Sequence, residues 1–298
     1  MTACTLCPRA CGVDREAGQV GRCQSGAKMQ IARAALHFWE EPPISGKNGS
    51  GAVFFTGCGL RCCYCQNVEI SQSADPPGKA VSPEELSGIF FDLISQGAHN
   101  INLVTAAQFL PLVRDALLLK KLPVPVVYNS SGYERVESLK TLEGLVDIYL
   151  PDFKYAESGL AAELSDALDY PAIALAAIHE MVRQVGAPSM DGSGLMRRGV
   201  LIRHLILPGH TKNSIAALKL LKQEFPDIPV SLMAQYTPPE TGLPETHPEL
   251  ARKLTKRELQ KVQDVLFELE LDGFLQDRTA SNAGFLPDFH QFTREGQA

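Results

Sequence analysis

The sequence lacks the features that mark membrane, secreted and nucleic-acid-binding proteins. No apolar run approaches the roughly 20 residues of a membrane-spanning helix. Excess positive charge is also missing, because the formal net charge is −6, and this argues against nucleic acid as a main partner. The N-terminus has neither the basic nor the apolar region of a signal peptide. We therefore expect a cytoplasmic protein without membrane or nucleic-acid partners.

Cysteine is absent from the whole chain after Cys65. All eight cysteines lie within the first 65 residues, in two separate groups. In the reducing cytoplasm such clustering favours metal binding over disulfide formation. The composition is otherwise ordinary, with 298 residues of which 45% are hydrophobic, and this length suits a barrel-sized domain with a small appendage.

The second cysteine group lies on a loop that directly follows the apolar run Ala52–Phe55. Its members Cys58, Cys62 and Cys65 can hold three irons of a four-iron cluster and leave the fourth iron without a protein ligand. A zinc site is the alternative, but zinc takes four ligands and no further cysteine or histidine follows nearby. Cys63 is adjacent but does not give the same spacing. We predict a [4Fe–4S] cluster at the three cysteines.

The first cysteine group comprises Cys4, Cys7, Cys11 and Cys23. Four soft ligands at this spacing suit either a structural zinc ion or an auxiliary iron–sulfur cluster. The alternative is a set of reduced, packed cysteines. We interpret residues 1–35 as a small metal-bound appendage and the Pro- and Gly-rich residues 36–51 as a connector made of turns.

After residue 51 the sequence alternates short apolar runs with longer helical patterns. Ser82 and Thr255 are predicted N-caps, each followed by a glutamate three residues on, and the second helix is expected to end near Leu271. Apolar strands of this kind are typical of a parallel sheet covered by helices. The predicted fold is α/β, an open, partial (β/α)₆ TIM-like barrel over residues 52–276. The tail, residues 277–298, shows no assignable pattern. The predicted strands are Ala52–Phe55, Ile101–Val104, Val124–Tyr128, Val146–Leu150, Val200–Leu207 and Val230–Met233.

Polar residues follow or end each predicted strand. Since barrel enzymes carry their chemistry at the carboxyl ends of the strands, these residues are candidates for one common site. His204 alternates away from Arg203 and is expected to pack outside the barrel. The candidates beyond the cysteine loop are Thr105, Asn129, Ser130, Asp152, Lys154, Arg203 and Tyr236.

Several motifs together resemble one known family. The chain is similar to radical S-adenosylmethionine (SAM) enzymes of the pyruvate formate-lyase activating enzyme class, in the branch with an N-terminal cysteine-rich segment. The partial barrel is the fold that this resemblance implies. The motifs are the cysteine loop, Leu6-Cys-Pro-Arg-Ala-Cys-Gly-Val-Asp-Arg15, the Glu-Glu-Pro-Pro-Ile-Ser-Gly strip, Gly49-Ser-Gly51, Tyr128-Asn-Ser-Ser-Gly-Tyr-Glu134, Leu150-Pro-Asp-Phe-Lys154, Arg203-His-Leu-Ile-Leu-Pro-Gly209 and Leu232-Met-Ala-Gln-Tyr236.

The resemblance also implies residues that contact SAM. Tyr64 is the aromatic residue usual before the last cysteine. Thr105, with neighbouring backbone carbonyls, stands where the family has a Gly-Gly-Glu segment for the SAM amino group, a departure from the family pattern. Tyr236 falls where some activases have a histidine near the substrate. The remaining implied positions are Asn129 and Ser130 at the ribose or at a cation, and Asp152, Lys154 and Arg203 at matching family residues.

The activity implied by the resemblance is reductive cleavage of SAM at the cluster. A flavodoxin or ferredoxin would supply the electron, and the resulting 5′-deoxyadenosyl radical would abstract a hydrogen, in activases from a glycine of a partner protein. No catalytic side chain beyond the cluster ligands is implied. Two alternatives are a radical modifier of a peptide or small molecule that uses an N-terminal auxiliary cluster, and a non-catalytic iron–sulfur or zinc protein.

Overall fold

A computed structural model describes residues 3–239, 243, 245–276 and 287–290 of the chain. The strands, in chain order, are β1 Gln30–His37, β2 Ser50–Phe55, β3 Lys79–Ala80, β4 Ile101–Val104, β5 Val126–Ser130, β6 Ile148–Pro151, β7 Ser189–Met190, β8 Met196–Val200, β9 Ile202–Leu205, β10 Val230–Met233 and β11 Gly273–Leu275. The helices are α1 Pro42–Ser45, α2 Val68–Ser71, α3 Pro83–Ser95, α4 Leu110–Leu119, α5 Val136–Lys140, α6 Ser158–Ser165, α7 Tyr170–Val185, α8 Thr211–Glu224 and α9 Lys256–Glu268, with 3₁₀ turns at Ala107–Phe109 and Pro248–Ala251.

Six parallel strands form the barrel wall, in the order β2, β4, β5, β6, β9, β10. The first four pair side by side, as do β9 and β10. A parallel bridge between Asp152 and Arg203 joins the two sets, and the backbone N–H of Phe153 donates to the Arg203 carbonyl at 2.8 Å. The predicted partial (β/α)₆ barrel is confirmed.

The two edge strands of the barrel, β2 and β10, each pair with a further strand rather than with each other. At one end β1 pairs antiparallel with β2, and β3 pairs with β1. At the other end β11 runs parallel to β10. Between β6 and β9, strand β8 pairs with β6 and carries β7 as a hairpin partner. Among the described strands β2 and β10 do not pair, so the barrel is open along one side.

The predicted helix starts at Ser82 and Thr255 are confirmed by their capping geometry. The Ser82 hydroxyl accepts from the backbone N–H of Glu85 at 3.2 Å, and the Glu85 carboxylate accepts from the backbone N–H of Ser82 at 2.7 Å. Thr255 and Glu258 make the same reciprocal pair before α9. Such a capping box satisfies two backbone donors that a helix start otherwise leaves without partners. Helix α9 ends at Glu268, short of the predicted Leu271.

Regular secondary structure crosses the predicted boundaries of the N-terminal regions. Residues 30–35, assigned to the appendage, belong to β1 and are hydrogen-bonded into the main sheet. The connector, residues 36–51, is not all turn, because it contains the end of β1, the one-turn helix α1 and the start of β2. The partner for β1 is β2, so this structure depends on a strand pairing that local composition does not reveal.

Most of the predicted tail, residues 277–298, lies outside the described residues. Within 287–290, Phe289 is buried and packs edge-on against Phe54 with ring centroids 5.6 Å apart. Pro287, two residues before Phe289, lines the cavity described below. No helix within the described residues has the length and apolar character needed to cross a membrane.

Candidate active site

One wall of a cavity of about 260 Å³ is formed by Cys58, Cys62 and Cys65, which we call the cysteine wall. The loop leaves β2 through Gly57, whose φ of +81° suits glycine. A Cβ at Gly57 would lie 2.3 Å from the carbonyl oxygen of Cys23, so this close approach requires glycine. The buried strand and this tight turn hold the loop over the carboxyl end of the barrel.

Cys63 does not line this cavity. Its backbone N–H donates to the Leu164 carbonyl at 2.9 Å, and its side chain packs against the hydrophobic core. Cys62, in contrast, is buried and faces the cavity. The structure therefore places on the cysteine wall the three cysteines whose spacing indicated a cluster.

Burial affects two of the three thiols on the cysteine wall. It raises the pKa of Cys58 to about 12 and also raises the pKa of Cys65. A bound cation is therefore needed to keep these two sulfurs ionised.

The same cavity is lined by a network of polar and charged side chains that we call the charged floor: Glu40, Asn129, Asp152, Lys154 and Arg203. Arg203 donates through Nε to Asp152 at 2.9 Å and through Nη2 to Asn129 at 2.6 Å. Its Nη1 lies 3.2 Å from a carboxylate oxygen of Glu40. Lys154 Nζ lies 2.6 Å from the other carboxylate oxygen of Asp152.

Electrostatic compensation keeps the charged floor ionised although it is largely buried. Burial alone would raise the pKa of Asp152, but the positive charges of Arg203 and Lys154 outweigh it and hold that pKa below its usual value. The Asp152 and Lys154 side chains are only 13% and 17% exposed. This pair is thus part of a buried network and not a solvated surface ion pair.

Glu40 is a site residue that the sequence analysis missed. Its carboxylate accepts from the side-chain amides of Asn102 at 3.2 Å and Asn129 at 3.1 Å, in addition to its contact with Arg203. The only sequence signal was its place in the Glu-Glu-Pro-Pro strip, which was interpreted as a turn. The connector instead carries this acid into the barrel mouth.

Thr105 directly follows β4 and has a left-handed conformation, with φ +59°. Such a conformation costs a non-glycine residue about 1–2 kcal/mol. The side-chain amide of Gln108 holds it, donating to the carbonyls of Thr105 at 2.7 Å, Thr56 at 2.8 Å and Gly57 at 3.0 Å. Gln108, also missed from sequence, thereby ties the cysteine loop to the end of β4.

The other predicted residues divide between the cavity and its surroundings. Tyr64 and Ser130 line the cavity, and the Tyr64 hydroxyl accepts from Tyr155 at 2.9 Å. Tyr236 does not line it, since its buried side chain donates to the Leu250 carbonyl at 2.7 Å. His204 is buried on the other side of β9 from the cavity-lining Arg203, with Nδ1 2.6 Å from the Phe153 carbonyl.

One comparison with a solved structure supports the fold. No protein-family model matches the chain. An uncharacterised protein of Methanocaldococcus jannaschii is 27% identical over 278 residues, which cover 90% of this chain and 75% of that protein. Streptococcus suis SuiB, solved with its precursor peptide SuiA, superposes with a TM-score of 0.50 at 13% identity. The match covers 78% of this chain and 51% of SuiB, a radical SAM enzyme. The chain has the radical SAM fold.

Two further radical SAM structures give lower scores. Methylornithine synthase (PylB) superposes with a TM-score of 0.48 at 14% identity, covering 81% of this chain and 74% of PylB. A domain of a pyruvate-formate lyase-activating enzyme from Bacteroides vulgatus gives 0.38 at 13% identity, covering 65% and 91%. Scores below 0.5 do not by themselves establish a shared fold.

In this radical SAM fold the N-terminal cysteines lie beside the cysteine loop. Cys7 and Cys23, together with Cys58, border a second cavity of about 20 Å³. Arg9 fastens the appendage by donating to the carbonyls of Gly59 and Ser165, both at 2.8 Å. The appendage therefore covers the outer side of the cysteine loop.

Proposed function

We propose that the protein is a radical SAM enzyme that binds a [4Fe–4S] cluster at Cys58, Cys62 and Cys65 and binds SAM in the 260 Å³ cavity. The observation that carries this proposal is the meeting of the cysteine wall and the charged floor across one cavity. Three soft ligands leave one iron of a four-iron cluster without a protein ligand. A neighbouring set of charged groups can then hold the ends of a zwitterionic, sulfonium-bearing ligand.

The charged floor supplies complementary groups for SAM. Lys154 and Arg203 are the cations for a carboxylate, and Asp152 and Glu40 are the anions for an amino group or a sulfonium. Because all four are already paired with one another, SAM would bind by exchanging partners within a network of fixed geometry. When bound, a reduced cluster supplies the electron that cleaves SAM to methionine and a 5′-deoxyadenosyl radical.

The remaining side chains that line the cavity are suited to limiting side reactions of the 5′-deoxyadenosyl radical. Apolar side chains surround the polar groups and exclude water, which limits side reactions. The apolar lining residues are Phe54, Phe55, Leu60, Ile70, Val104, Leu205 and Met233.

We infer that the hydrogen donor is a polypeptide, as a glycyl-radical activase requires. Trp39 lines the cavity and is 57% exposed, and its neighbour Phe38 is 48% exposed. Exposed aromatic side chains beside an active cavity favour a protein or peptide partner over a small polar molecule. The reductant in this proposal is a flavodoxin or ferredoxin.

A second candidate is peptide modification with an auxiliary cluster in the N-terminal appendage. Cys7 and Cys23 border the same small cavity as Cys58, which supports a metal centre close to the first.

The test of the proposed function is SAM cleavage by anaerobically reconstituted protein. With dithionite and SAM we expect 5′-deoxyadenosine and methionine, measured by mass spectrometry, and neither product from the Cys58/Cys62/Cys65→Ala triple variant. An intact cluster in the wild type without product would overturn the proposal. Metal analysis of the triple variant separates the second candidate, since iron retained there supports an auxiliary cluster and zinc alone excludes it.

A radical on a partner distinguishes the activase from the peptide modifier. Polypeptides that co-purify with the protein are incubated with dithionite and SAM and examined by electron paramagnetic resonance. A glycyl radical signal supports the activase. A stable mass change in the polypeptide without that signal supports the modifier.

A further inference from the structure

A cluster of two histidines and a glutamate lies outside the cavity described above. His210 directly precedes α8, while His247 and Glu249 lie at the 3₁₀ turn Pro248–Ala251 that follows β10. None of the three lines the candidate SAM cavity. The chain segments after β9 and β10 thus meet at this point.

The geometry of the cluster brings three ligand atoms to one place. Nε2 of His210 lies 2.9 Å from Oε1 of Glu249, and Nδ1 of His247 lies 3.1 Å from the same oxygen. The ligand atoms of all three residues lie within 4.8 Å of one another. Within the part of the chain that the structure describes, this is the one group of three or more potential ligands that meets this distance.

The side chains are held in place and yet accessible. Their exposed fractions are 13% for His247, 19% for His210 and 26% for Glu249. The site is also braced from both sides. The backbone N–H of Gly209 donates to Glu258 at 2.7 Å, and the Leu250 carbonyl accepts from Tyr236. Ligands fixed in this way lose little conformational entropy when an ion binds.

We propose that His210, His247 and Glu249 bind a divalent transition-metal ion, with Zn²⁺ as the preferred ion. Two imidazole nitrogens and one carboxylate oxygen are a donor set that zinc uses, with water completing the tetrahedron. The same set binds Fe²⁺ in other proteins, so ferrous iron is the second ion to test. The site is separate from both cysteine groups and contains no sulfur ligand.

The bound ion would be structural for the loops around the barrel mouth. It would join the segment after β9 to the segment after β10. Tyr236 connects the segment after β10 to the cysteine loop. Its hydroxyl donates a hydrogen bond to the Leu250 carbonyl, and its ring packs against the ring of Tyr64 with centroids 6.3 Å apart. The proposal does not depend on SAM cleavage, and its test uses metal binding alone.

The experiment compares the His210→Ala/His247→Ala double variant with the wild type and with His179→Ala. His179 is the matched control because it is exposed and lies 3.3 Å from a single carboxylate, that of Glu224. Each full-length protein is reconstituted anaerobically, desalted and titrated with Zn²⁺, and separately with Fe²⁺. We expect wild type and His179→Ala to bind one more equivalent of zinc or ferrous iron than the double variant, whose affinity falls by about 100-fold or more.

Cobalt substitution provides an independent spectroscopic measurement. In difference spectra recorded before and after Co²⁺ is added, the site should give visible d–d absorption without cobalt–thiolate charge-transfer bands, and this d–d absorption should be lost in the double variant. Circular dichroism and cluster absorbance confirm that the variant is folded. Equal zinc, iron and cobalt binding by the folded double variant and by His179→Ala would overturn the proposal.

Discussion

The cysteine wall and the charged floor face each other across one cavity but are built in different ways. The cysteine wall comes from one continuous loop. The charged floor is assembled from the connector, the ends of β5 and β6, and a residue within β9. Burial raises the pKa of Cys58 and Cys65 on the wall, whereas the positive charges of Arg203 and Lys154 hold the pKa of Asp152 on the floor below its usual value. The wall thus needs a bound cation to ionise its thiols. The two positive and two negative side chains of the floor already balance each other in hydrogen-bonded pairs. Changes to the wall should therefore affect metal content, and changes to the floor should affect SAM.

The largest expected effect is loss of the cluster from a wall variant. Cys62→Ala should abolish cluster assembly, because Cys62 lines the cavity, whereas Cys63→Ala should assemble the cluster normally, because Cys63 does not line the cavity. Iron content and absorbance after anaerobic reconstitution measure the difference. Loss of iron from Cys63→Ala with retention in Cys62→Ala would reverse the assignment of the wall.

A floor variant should keep its iron and lose affinity for SAM. Arg203→Lys retains the charge but cannot reproduce the fork that contacts Asp152, Glu40 and Asn129 together. We expect the Kd for SAM to rise about 10–100-fold, equivalent to roughly 1.4–2.8 kcal/mol, with unchanged iron. Equilibrium binding under anaerobic conditions measures it.

The control for this floor variant is Arg197→Lys. Arg197 is 48% exposed and forms an ion pair with Asp191 away from the cavity, so its replacement should change neither iron nor SAM binding. If Arg203→Lys lost iron as well as SAM affinity, the wall and floor would not be independent parts of the site.

The wall lies on one continuous loop and the floor comes from several chain segments, and this difference explains how much of each could be predicted from the sequence. The wall could be predicted because its three cysteines are close in sequence and follow the apolar run Ala52–Phe55. Much of the floor could also be predicted, since Asn129 and Asp152 lie at the carboxyl ends of neighbouring parallel strands, which meet at one edge. Arg203 lies within β9 and joins them through its long side chain.

The rest depends on contacts between distant segments. Glu40 enters the site only because β1 pairs with β2, and a Pro-rich strip gives no sign of that pairing. Tyr236 was predicted near the substrate, yet it follows a strand whose alternation sends Gln235 to the cavity and Tyr236 toward Leu250. Neighbouring residues of an extended segment point to opposite sides, so a shift of one residue changes which side chain reaches the cavity. The predicted end of a strand is not precise enough to fix that position.

The smallest expected effect on the site comes from Glu41, which adjoins the floor but does not line the cavity. Burial raises its pKa to about 7, against the opposing charge of Arg203. Among the described residues, its Oε2 has no hydrogen-bond partner, as suits a carboxyl group that holds its proton. Glu41→Gln should therefore leave iron content unchanged and alter the Kd for SAM by less than about threefold.

The effect of Glu41→Gln should appear in the pH dependence of stability instead. In the unfolded chain Glu41 ionises near pH 4.5, but in the folded chain it keeps its proton up to about pH 7. The folded state thus binds more protons in this window, so wild-type stability falls as pH rises from 4.5 to 7. Glutamine has no such dependence. Relative to wild type, the variant should gain up to about 3 kcal/mol across the window, measured by denaturant unfolding at several pH values. A constant difference from pH 4.5 to 7 would mean that the Glu41 carboxylate is already ionised in the fold, and thus that the buried charge around Arg203 extends beyond the floor.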